Sequence, residues 1–492
     1  MDIRPVKINS SLSELATLVS GSYKGEATVT GITHDSRSVQ PGDLYVALPG
    51  ANTHGIEYID QAISNGAVAI ATDSKGYKLL DTKQVPCLEL SEARKDMAKL
   101  AAAIYGHPET KLKIVGVTGT NGKTTTTHML RSMFLDSGAH VGVVGTLGTF
   151  LDLESIPTAR TTPEATDLFA VLAVMAQRGI THVFMEVSSH ALELNRVLGL
   201  QFDVAIFTNL TQDHLDFHGS MEHYFAAKAK LFTSSYAKTA VVCVDDDWGK
   251  KLFEQIEIPA ISIGRTGDWK TEPATASLVG FTKQEIQRSD GSSFSIEVNM
   301  LGAYNAMNAS CALAASEILG LPLAKGAESL RKIRAIPGRL ESVKVASSGA
   351  VIVDYAHTPD AVATALKTIS ESGVGQLITV IGCGGDRDAV KRPIMGRVAA
   401  QLSDVVIITD DNPRSEDPAK IRREMMAGID TKSAKVFEIA NRREAIAMAL
   451  RISQPGDAVA ILGKGHETGQ EINGEIFPFD DRLVAAQESE LV

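Results

Sequence analysis

The residues best suited to chemistry lie in a glycine-rich segment that ends in Gly122, Lys123 and Thr124. A β-branched run precedes this segment, and a helix-compatible stretch follows it. Gly119 and Gly122 allow backbone N–H groups to face phosphate oxygens, Lys123 can reach the β- and γ-phosphates, and the Thr124 hydroxyl is suited to Mg²⁺. The pattern predicts the strand, loop and helix start of a nucleotide phosphate site, although Val117 stands where the strict motif has glycine.

Strand-like runs at 141–145, 181–185 and 204–208 alternate with helix-compatible segments. This alternation predicts a mostly parallel sheet with crossover helices. Ligands bind at the carboxyl ends of such strands. Glu186, directly after the second run, could hold Mg²⁺ opposite Thr124, or it could cap a helix or remain a solvated charge.

Two histidines and two aspartates follow the third strand within a few residues: Asp213, His214, Asp216 and His218. Such a cluster could bind zinc, but neither cysteine nor a further well-spaced histidine supports that interpretation. A second Mg²⁺ or a substrate-positioning role fits better. Lys228, on the helix that follows, is by residue type expected to be solvated.

The C-terminal third repeats the pattern of an apolar strand followed by charged or glycine-rich residues. Four such strand ends carry Asp354 with His357, Arg387, Arg414, and the segment 463–467. Each one alone could be ordinary loop chemistry at the rim of a sheet. Together they predict ends that face the phosphate loop across a cleft.

Residues 1 to about 90 predict a small α/β unit. The strand-like run 27–33 and the apolar run 44–48 flank a Pro-Gly-Asp turn, and this pattern favours a hairpin. Ser36 and Arg37 lie between the two runs, where exposed polar residues more often have no ligand. The segment 91–105 has helical spacing and leads into the central part of the chain.

The composition is that of an ordinary globular protein: 492 residues, 44% hydrophobic and 22% charged. This length suggests roughly three domains. No apolar run is long enough to cross a bilayer, and the first residues lack a signal-peptide core, so we expect a cytoplasmic protein without membrane association. The net charge of -11 argues against nucleic-acid binding. The four cysteines form no C-x-x-C pair and are expected to be reduced thiols; we expect a monomer.

Taken together, seven motifs in order resemble the Mur ligase family. They occupy residues 118–124, 186–190, 213–216, 304–308, 337–339, 354–359 and 411–414. The resemblance, which runs from about residue 30 to 482, implies an α/β protein of three domains. These would be a UDP-substrate-binding domain (1–90), a central P-loop-type ATPase domain (91–337) and a C-terminal Rossmann-like domain that binds an amino acid (338–492).

Within the family, the chain most resembles members that join meso-diaminopimelate to UDP-N-acetylmuramoyl-L-Ala-D-Glu. The resemblance implies that the D-Glu carboxylate attacks the γ-phosphate of ATP and that the amine then displaces phosphate from the acyl phosphate. ATP and Mg²⁺ are the implied cofactors. Lys123, His214 and Lys228 would be catalytic, with Lys228 carbamylated and thus converted from a cation into a carboxylate-like metal ligand.

The resemblance also assigns binding residues. The implied metal ligands are Thr124, Glu186, His214 and Lys228. The implied ATP-binding residues are Gly119, Thr120, Asn121, Gly122, Lys123, Thr124, Thr125, Asn305, Arg339 and Asp354. Ser36, Thr161, Thr162, Ser188 and Arg196 would hold the UDP-linked peptide. Arg387, Asp411, Asn412, Pro413, Arg414, Gly463 and Glu467 would hold the amino acid.

Other functions stay open at this point. Arg414 offers a bidentate partner for the carboxylate that distinguishes diaminopimelate from lysine, and this speaks against a lysine-adding ligase. The region 34–37 speaks against a folylpolyglutamate synthase. From another class, the phosphate loop could belong to a nucleotide switch or motor; a GTPase would need an N-K-x-D motif, and no asparagine here is followed by lysine.

Overall fold

The computed structural model describes residues 4–6, 8–50, 53–80, 85–156, 158, 160–276, 281–333, 335–345, 349–430 and 433–491. The chain forms an α/β protein with three main sheets that are largely parallel. Among the described residues, no helix is long and apolar enough to cross a membrane. All four cysteines are described and buried, and none is joined in a disulfide, as predicted.

The first sheet lies in the N-terminal part of the chain. Its elements and their neighbours are β1 (Ser10–Ser11), α1 (Leu12–Val19), β2 (Tyr23–Lys24), β3 (Thr28–Val29), β4 (Gly31–Thr33), β5 (Asp43–Ala47), α2 (Ile59–Ser64), β6 (Ala69–Asp73), α3 (Ser74–Leu79), β7 (Cys87–Leu90) and α4 (Ala93–Ile104). Five strands pair in the order β2-β7-β6-β5-β4, and β1 pairs separately with β3. The predicted helix 91–105 is confirmed as α4.

The predicted hairpin between 27–33 and 44–48 is wrong. Strands β4 and β5 run parallel, with Gly31 opposite Asp43, and the connection between them contains a short 3-10 helix, Ser36–Ser38. The run 27–33 is also divided, because β3 pairs with β1 whereas β4 pairs with β5. Parallel strands need a crossover connection, which the turn residues alone did not indicate.

The central part holds a 12-stranded sheet. Its elements are β8 (Lys113–Thr118), α5 (Lys123–Asp136), β9 (Val141–Gly145), β10 (Gly148–Leu151), β11 (Glu154–Ile156), α6 (Ala165–Gln177), β12 (His182–Glu186), α7 (Ser189–Glu193), β13 (Phe202–Phe207), α8 (Leu215–His218), α9 (Met221–Ala229), β14 (Ala237–Cys243), α10 (Asp247–Gln255), β15 (Ala260–Gly264), β16 (Trp269–Thr271), β17 (Thr275–Ala276), β18 (Thr282–Arg288), β19 (Ser293–Val298), α11 (Ala303–Ile318) and α12 (Leu323–Lys332).

Strand β8, which leads into the phosphate loop, lies between β12 and β13 and is parallel to both. Its side chains alternate between the two faces of the sheet, as they must in a strand. Ile114 packs into the core on one face with residues of α4 and α6. Val115 and Val117 pack into the core on the other face with residues of α5 and α11. Because both faces are covered, the middle of each central strand is apolar and the loop at the end of β8 has a rigid base.

The C-terminal part begins with a strand antiparallel to its neighbour and continues as a parallel sheet. Its elements are β20 (Glu341–Val343), β21 (Ala350–Asp354), α13 (Pro359–Glu371), β22 (Leu377–Ile381), α14 (Lys391–Leu402), β23 (Val405–Ile408), α15 (Pro418–Met426), β24 (Lys435–Glu438), α16 (Arg442–Ile452), β25 (Ala458–Leu462), β26 (Gly469–Ile472), β27 (Glu475–Pro478) and α17 (Asp481–Ser489). Six strands pair in the order β20-β21-β25-β22-β23-β24, and β26 and β27 form a separate hairpin. The four C-terminal strands predicted from apolar runs are thus confirmed.

Candidate active site

The phosphate loop connects β8 to α5, and two glycines give it its shape. Gly119 and Gly122 have φ angles of 150° and 90°. A Cβ atom on Gly119 would lie 2.0 Å from the Thr208 hydroxyl oxygen, so the loop packs too closely against the end of β13 for a side chain. The Lys123 ammonium folds back over the loop and donates to the carbonyl oxygens of Gly119 and Thr120, both at 2.8 Å. This lysine is therefore held at the position where a phosphate would bind.

Residues directly after β13 fix the phosphate loop by hydrogen bonds. The Thr208 hydroxyl donates to the Asn121 carbonyl oxygen at 2.6 Å, and the Asn121 N–H donates to the side-chain oxygen of Asn209 at 2.9 Å. The sequence analysis missed both Thr208 and Asn209. Their position directly after β13 was the signal that could have identified them.

Glu186 ends β12 and is 1% exposed. Its two carboxylate oxygens accept hydrogen bonds from the backbone N–H and the hydroxyl of Thr146, at 2.8 and 3.0 Å. Within the described part of the chain this buried carboxylate has no ion pair, and the Thr124 hydroxyl lines the same cavity. A buried carboxylate that shares a cavity with a hydroxyl suits a hard cation.

In the cluster that follows β13, His214 contacts both the adjacent Asp213 and the ring of His190 on α7. The His214 imidazole Nε2 lies 3.5 Å from an Asp213 carboxylate oxygen, and its ring centroid is 4.9 Å from that of His190. Burial lowers the pKa of His214 to about 4 despite the attraction of Asp213, so the ring is neutral near pH 7 and can act as a ligand. Among the described residues, no group of three or more His, Cys, Asp or Glu side chains could hold a metal by itself, and this gives no support to the zinc alternative.

Lys228 contradicts the expectation that a helical lysine is solvated. It is 1% exposed, and its ammonium donates to the Gly119 carbonyl oxygen at 2.9 Å. The same nitrogen lies 4.6 Å from the centre of the Tyr224 ring. Burial, together with repulsion from Lys123, places the pKa of Lys228 well below its ordinary value. Its side chain therefore lies beside the phosphate loop and favours the neutral amine.

The C-terminal part contributes Arg339 to this cavity. One guanidinium nitrogen of Arg339 donates to the Thr124 hydroxyl oxygen at 3.0 Å, and the group lies 4.8 Å from the centre of the Tyr355 ring. The Asp354 carboxylate accepts from the backbone N–H groups of Leu340 and Ala356, at 2.7 and 2.8 Å, and so fixes the turn that carries Arg339. The strand end at Asp354 thus faces the phosphate loop as predicted.

The cavity enclosed by these elements has a volume of about 930 Å³. Most of the predicted nucleotide and metal residues line it: Thr120, Asn121, Gly122, Lys123, Thr124, Thr125, Glu186, His214, Lys228, Arg339 and Asp354. Gly119 and Asn305 are not among the lining residues. Asn305 is 1% exposed and donates to the Leu301 carbonyl oxygen at 2.7 Å, so its side chain supports the start of α11.

A second cavity, of about 1120 Å³, lies between the N-terminal sheet and the central part. Ser36 lines it, and its hydroxyl donates to the side-chain oxygen of Gln61 at 2.7 Å. Thr161 and Ser188 line the first cavity instead. Thr162 and Arg196 line neither cavity, but the Thr162 hydroxyl donates to the Ser188 hydroxyl oxygen at 3.4 Å, and Arg196 lies 2.8 Å from Glu164, which lines the second cavity. The five predicted UDP-substrate residues therefore do not share one cavity.

Glu164 lies next to Arg196 and forms an ion pair with it. The sequence analysis missed this residue. It is 3% exposed and makes ion pairs with Arg94, Arg160 and Arg196, at 3.1, 2.7 and 2.8 Å. Burial alone would raise the pKa of Glu164, but the surrounding cationic side chains outweigh burial and lower it. The spacing of Arg160 and Glu164, four residues apart just before a helix, was the available signal.

The predicted amino-acid residues form a third group, at the carboxyl ends of β23 and β25. The Asn412 side-chain nitrogen donates to a Glu467 carboxylate oxygen at 2.7 Å. Gly463 has a φ of 112°, and a Cβ atom there would lie 2.5 Å from an Asp411 carboxylate oxygen. The Asp411 and Asn412 side chains therefore contact the loop that follows β25.

Arg414 is held from two sides. Its Nε lies 3.2 Å from a carboxylate oxygen of Glu471, and another guanidinium nitrogen donates to the Gly385 carbonyl oxygen at 2.7 Å. Arg387 differs from the others: it is exposed, and its guanidinium donates to the carbonyl oxygen of the adjacent Asp386. The ends of β22, β23 and β25 contribute no residue to the lining of the nucleotide cavity, so only the first of the four predicted strand ends reaches it.

A direct contact connects the nucleotide cavity to the amino-acid group. A Cβ atom on Gly338, which precedes Arg339, would lie 2.2 Å from the backbone nitrogen of His466. The rings of Tyr355 and His466 are 5.0 Å apart between centroids. The turn that delivers Arg339 therefore packs on the loop that carries Glu467.

Comparison with known proteins agrees with this geometry. Residues 28–105 match the description "Mur ligase family, catalytic domain", residues 117–316 "Mur ligase middle domain", and residues 338–465 "Mur ligase, glutamate ligase domain". The chain belongs to the Mur ligase family.

Two curated relatives are named UDP-N-acetylmuramoyl-L-alanyl-D-glutamate--2,6-diaminopimelate ligase. The protein from Streptomyces avermitilis is 43% identical over 500 residues, which cover 98% of this chain and 97% of the relative. The protein from Geobacillus thermodenitrificans is 41% identical over 470 residues, which cover 94% of this chain and 95% of the relative.

A solved structure with the same ligase name has a TM-score of 0.68 at 32% identity, and it covers 98% of this chain and 99% of its own. MurF ligase from Thermotoga maritima, solved in complex with ADP, has a TM-score of 0.65 at 20% identity over 94% of this chain and 98% of its own. At 20% identity, the similarity to the MurF ligase concerns the fold alone. Together these similarities agree with the three-domain α/β architecture predicted from the sequence.

Proposed function

We propose that this protein is an ATP-dependent ligase that joins meso-diaminopimelate to the D-Glu residue of UDP-N-acetylmuramoyl-L-Ala-D-Glu, in peptidoglycan precursor synthesis. The near-full-length similarity to ligases of that name supports this activity. The observation that carries the chemistry is the convergence of Lys123, Glu186, Lys228 and Arg339 on one cavity. ATP and UDP-linked sugars are cytoplasmic metabolites, so we propose a cytoplasmic site of action.

The first chemical step is phosphoryl transfer. An oxygen of the D-Glu γ-carboxylate bonds to the γ-phosphorus of ATP, the bond to the β-phosphate oxygen breaks, and ADP leaves. Negative charge is distributed over the transferred group, so preorganised cations accelerate the step. Lys123 and Arg339 both line this cavity, and both are already held by hydrogen bonds.

Magnesium fits the donor set of this cavity. Thr124 and Glu186 would hold one Mg²⁺ and His214 a second, with a carbamylated Lys228 as a further metal ligand. When bound, the ions would neutralise charge on the phosphates. Lys228 is suited to carbamylation because the amine is buried and its pKa is lowered, which favours the neutral nucleophile that reacts with CO₂. Carbamylation would also remove a second buried cation from the side of Lys123.

The second step is aminolysis. The amine nitrogen of the acceptor bonds to the acyl carbon, the bond from that carbon to the phosphate oxygen breaks, and the amine loses a proton as inorganic phosphate leaves. We assign acceptor binding to Arg387, Asp411, Asn412, Pro413, Arg414, Gly463 and Glu467. Arg414 would pair with the carboxylate that lysine lacks, and Glu467 would meet an ammonium group.

We assign the UDP-linked peptide to Ser36, Thr161, Thr162, Ser188 and Arg196, on and between the two cavities. We also propose that the chain is divided into three domains, at 1–90, 91–337 and 338–492. The peptide end would then approach Lys123, since Thr161 and Ser188 line the nucleotide cavity. The nucleotide end would occupy the cavity lined by Ser36.

The test is phosphate release from ATP with the UDP-muramoyl dipeptide, measured with meso-diaminopimelate, with lysine and without an acceptor. We expect release that requires both the dipeptide and diaminopimelate and that is much weaker with lysine. Equal rates with lysine would remove the selectivity assigned to Arg414 and leave a ligase. Release that ignores every acceptor would contradict the ligase activity and favour a nucleotide switch or motor.

A further inference from the structure

Lys464 is a fully buried lysine inside the amino-acid group. Its side chain is 0% exposed, and it lies directly after Gly463 at the end of β25. Lysine is almost never fully buried unless it is paired, because an ammonium group is strongly hydrated. The hydrogen bonds of its side chain go to residues of the proposed acceptor site and to the hairpin beside it.

The ammonium group of Lys464 makes three contacts. It donates to the Asn412 side-chain oxygen at 3.1 Å, to Glu467 Oε2 at 3.1 Å and to the Gly469 carbonyl oxygen at 2.6 Å. An ammonium has three protons and accepts nothing, so these contacts use its full hydrogen-bonding capacity. Lys464 therefore joins two of the proposed acceptor-binding side chains, Asn412 and Glu467, to the start of the β26–β27 hairpin.

The contact with Asn412 decides which way its amide points. The amide oxygen accepts from the Lys464 ammonium and also from the Glu471 backbone N–H at 3.0 Å. Both partners can only donate, so they select the oxygen and direct the amide nitrogen to the other side. That nitrogen donates to Glu467 Oε2 at 2.7 Å.

The contact with Glu467 leaves one carboxylate oxygen available. Oε2 accepts from both Lys464 and Asn412, whereas Oε1 accepts no hydrogen bond within the described part of the chain. The side chain is 29% exposed, so part of it is accessible to a ligand. A carboxylate held at one oxygen by two donors has a fixed direction for the other.

We propose that Lys464 is a positioning residue for the acceptor. Its buried ammonium sets the orientation of the Asn412 amide and of the Glu467 carboxylate, so that Glu467 Oε1 faces the ammonium group of the incoming amino acid. The inference rests on the proposed function, since it assumes that these two side chains bind the acceptor. Lys464 acts through them and does not touch the reacting atoms.

The test compares Lys464→Met and Lys464→Gln with Lys420→Met. Methionine has a similar length but cannot donate, and glutamine keeps part of the donor capacity. Lys420 lies on α15 in the same part of the chain and is 58% exposed, which makes it a matched control. We expect Lys464→Met to raise KM for diaminopimelate about tenfold to hundredfold, with a smaller rise for glutamine and none for the control.

Three further quantities separate positioning from general structural support. With a positioning role, kcat, KM for ATP and KM for the UDP-dipeptide all stay within about threefold of the unmodified enzyme. An unchanged KM for diaminopimelate in both variants would overturn the proposal. A large loss of thermal stability in both variants, or a similar shift in all three KM values, would also overturn it in favour of a structural role.

A double-mutant cycle with Glu467→Gln tests the route of action. If Lys464 acts through Glu467, the double variant loses less than the sum of the two single losses in binding free energy. Fully additive losses would contradict the proposal. Measurements on the unmodified enzyme distinguish a failure of the proposed function from a failure of this inference. Phosphate release by the unmodified enzyme that does not depend on the acceptor would refute the proposed function. Normal acceptor dependence, together with an unchanged KM for diaminopimelate in the Lys464 variants, would refute only this inference.

Discussion

The Arg339 guanidinium donates to the Thr124 hydroxyl oxygen across 3.0 Å, although the two residues are 215 positions apart in the chain. Through this contact the C-terminal part reaches the helix start that follows the phosphate loop. The Asp354 carboxylate fixes the turn that carries Arg339, and that turn packs on the loop after β25. The nucleotide cavity and the amino-acid group are therefore connected through one short segment.

We expect Arg339→Ala to lower kcat about 100-fold, because it removes a preorganised cation from the side of the transferred phosphate. Steady-state phosphate release at saturating ATP, dipeptide and diaminopimelate measures the effect. Arg331→Ala is the control, since Arg331 is 63% exposed and pairs with Glu297. A loss that is matched by the control, or by a large drop in melting temperature, would contradict a direct role for Arg339.

We expect the activity of the enzyme to require CO₂, because CO₂ carbamylates Lys228. Burial lowers its pKa well below the ordinary value, so the neutral amine can form a carbamate. We expect activity to fall in CO₂-depleted buffer and to return with bicarbonate, and a carbamate carbon signal to appear in ¹³C NMR with labelled bicarbonate. The signal should be absent in Lys228→Met and present in Lys230→Met, whose lysine is 43% exposed and paired with Glu193. The same signal in both variants would exclude Lys228 as its source.

Glu471 is predicted to sharpen selection against lysine. Its carboxylate lies 3.2 Å from Arg414 Nε, which leaves other guanidinium protons for a ligand carboxylate. We expect Glu471→Gln to reduce the ratio of kcat/KM for diaminopimelate over lysine about tenfold, because the guanidinium loses a charged anchor. Glu475→Gln, an exposed position on the same hairpin, should leave the ratio unchanged. An increase in the ratio for Glu471→Gln would show that Glu471 competes with the ligand.

We expect Glu164 to make a pH-dependent contribution to the free energy of unfolding. Its pKa is lowered in the folded protein, because the surrounding cations outweigh burial. The stabilisation is therefore present above the unfolded pKa of about 4.3 and is lost as the pH falls through the lower folded value. We expect Glu164→Gln to destabilise the fold by about 2 kcal/mol at pH 7.

Thermal unfolding at several pH values measures this difference. It should begin to shrink below about pH 4 and disappear below the lowered folded pKa, where the unmodified carboxyl is neutral as well. The exposed Glu254→Gln serves as the control and should melt like the unmodified protein at every pH. A difference that does not change with pH would assign the effect to packing.

Local pattern was sufficient for the strands and their functional ends. The apolar runs before Glu186, Asp354 and Arg414 predicted buried parallel strands, because both faces of such strands are covered. The phosphate loop could be identified from its glycines and Lys123. Their roles remain predictions.

Contacts between distant segments were not accessible to the same reasoning. The burial of Lys228 depends on α9 packing against the phosphate loop, which its own sequence does not reveal. The pairing of Glu471 with Arg414 depends on the placement of a hairpin. The false hairpin at β4 and β5 arose because a Pro-Gly-Asp turn is compatible with either strand direction.

The strand order of the C-terminal sheet has a consequence for biosynthesis. Strand β25 lies between β21 and β22, yet it follows β21, β22, β23 and β24 along the chain. Until residue 462 has left the ribosome, β21 and β22 have no central partner, and their unpaired edges are open to aggregation. The segment that completes the sheet leads directly into Gly463, Lys464 and Glu467. We therefore expect the acceptor site to be the last part of the enzyme to form during translation, well after the phosphate loop.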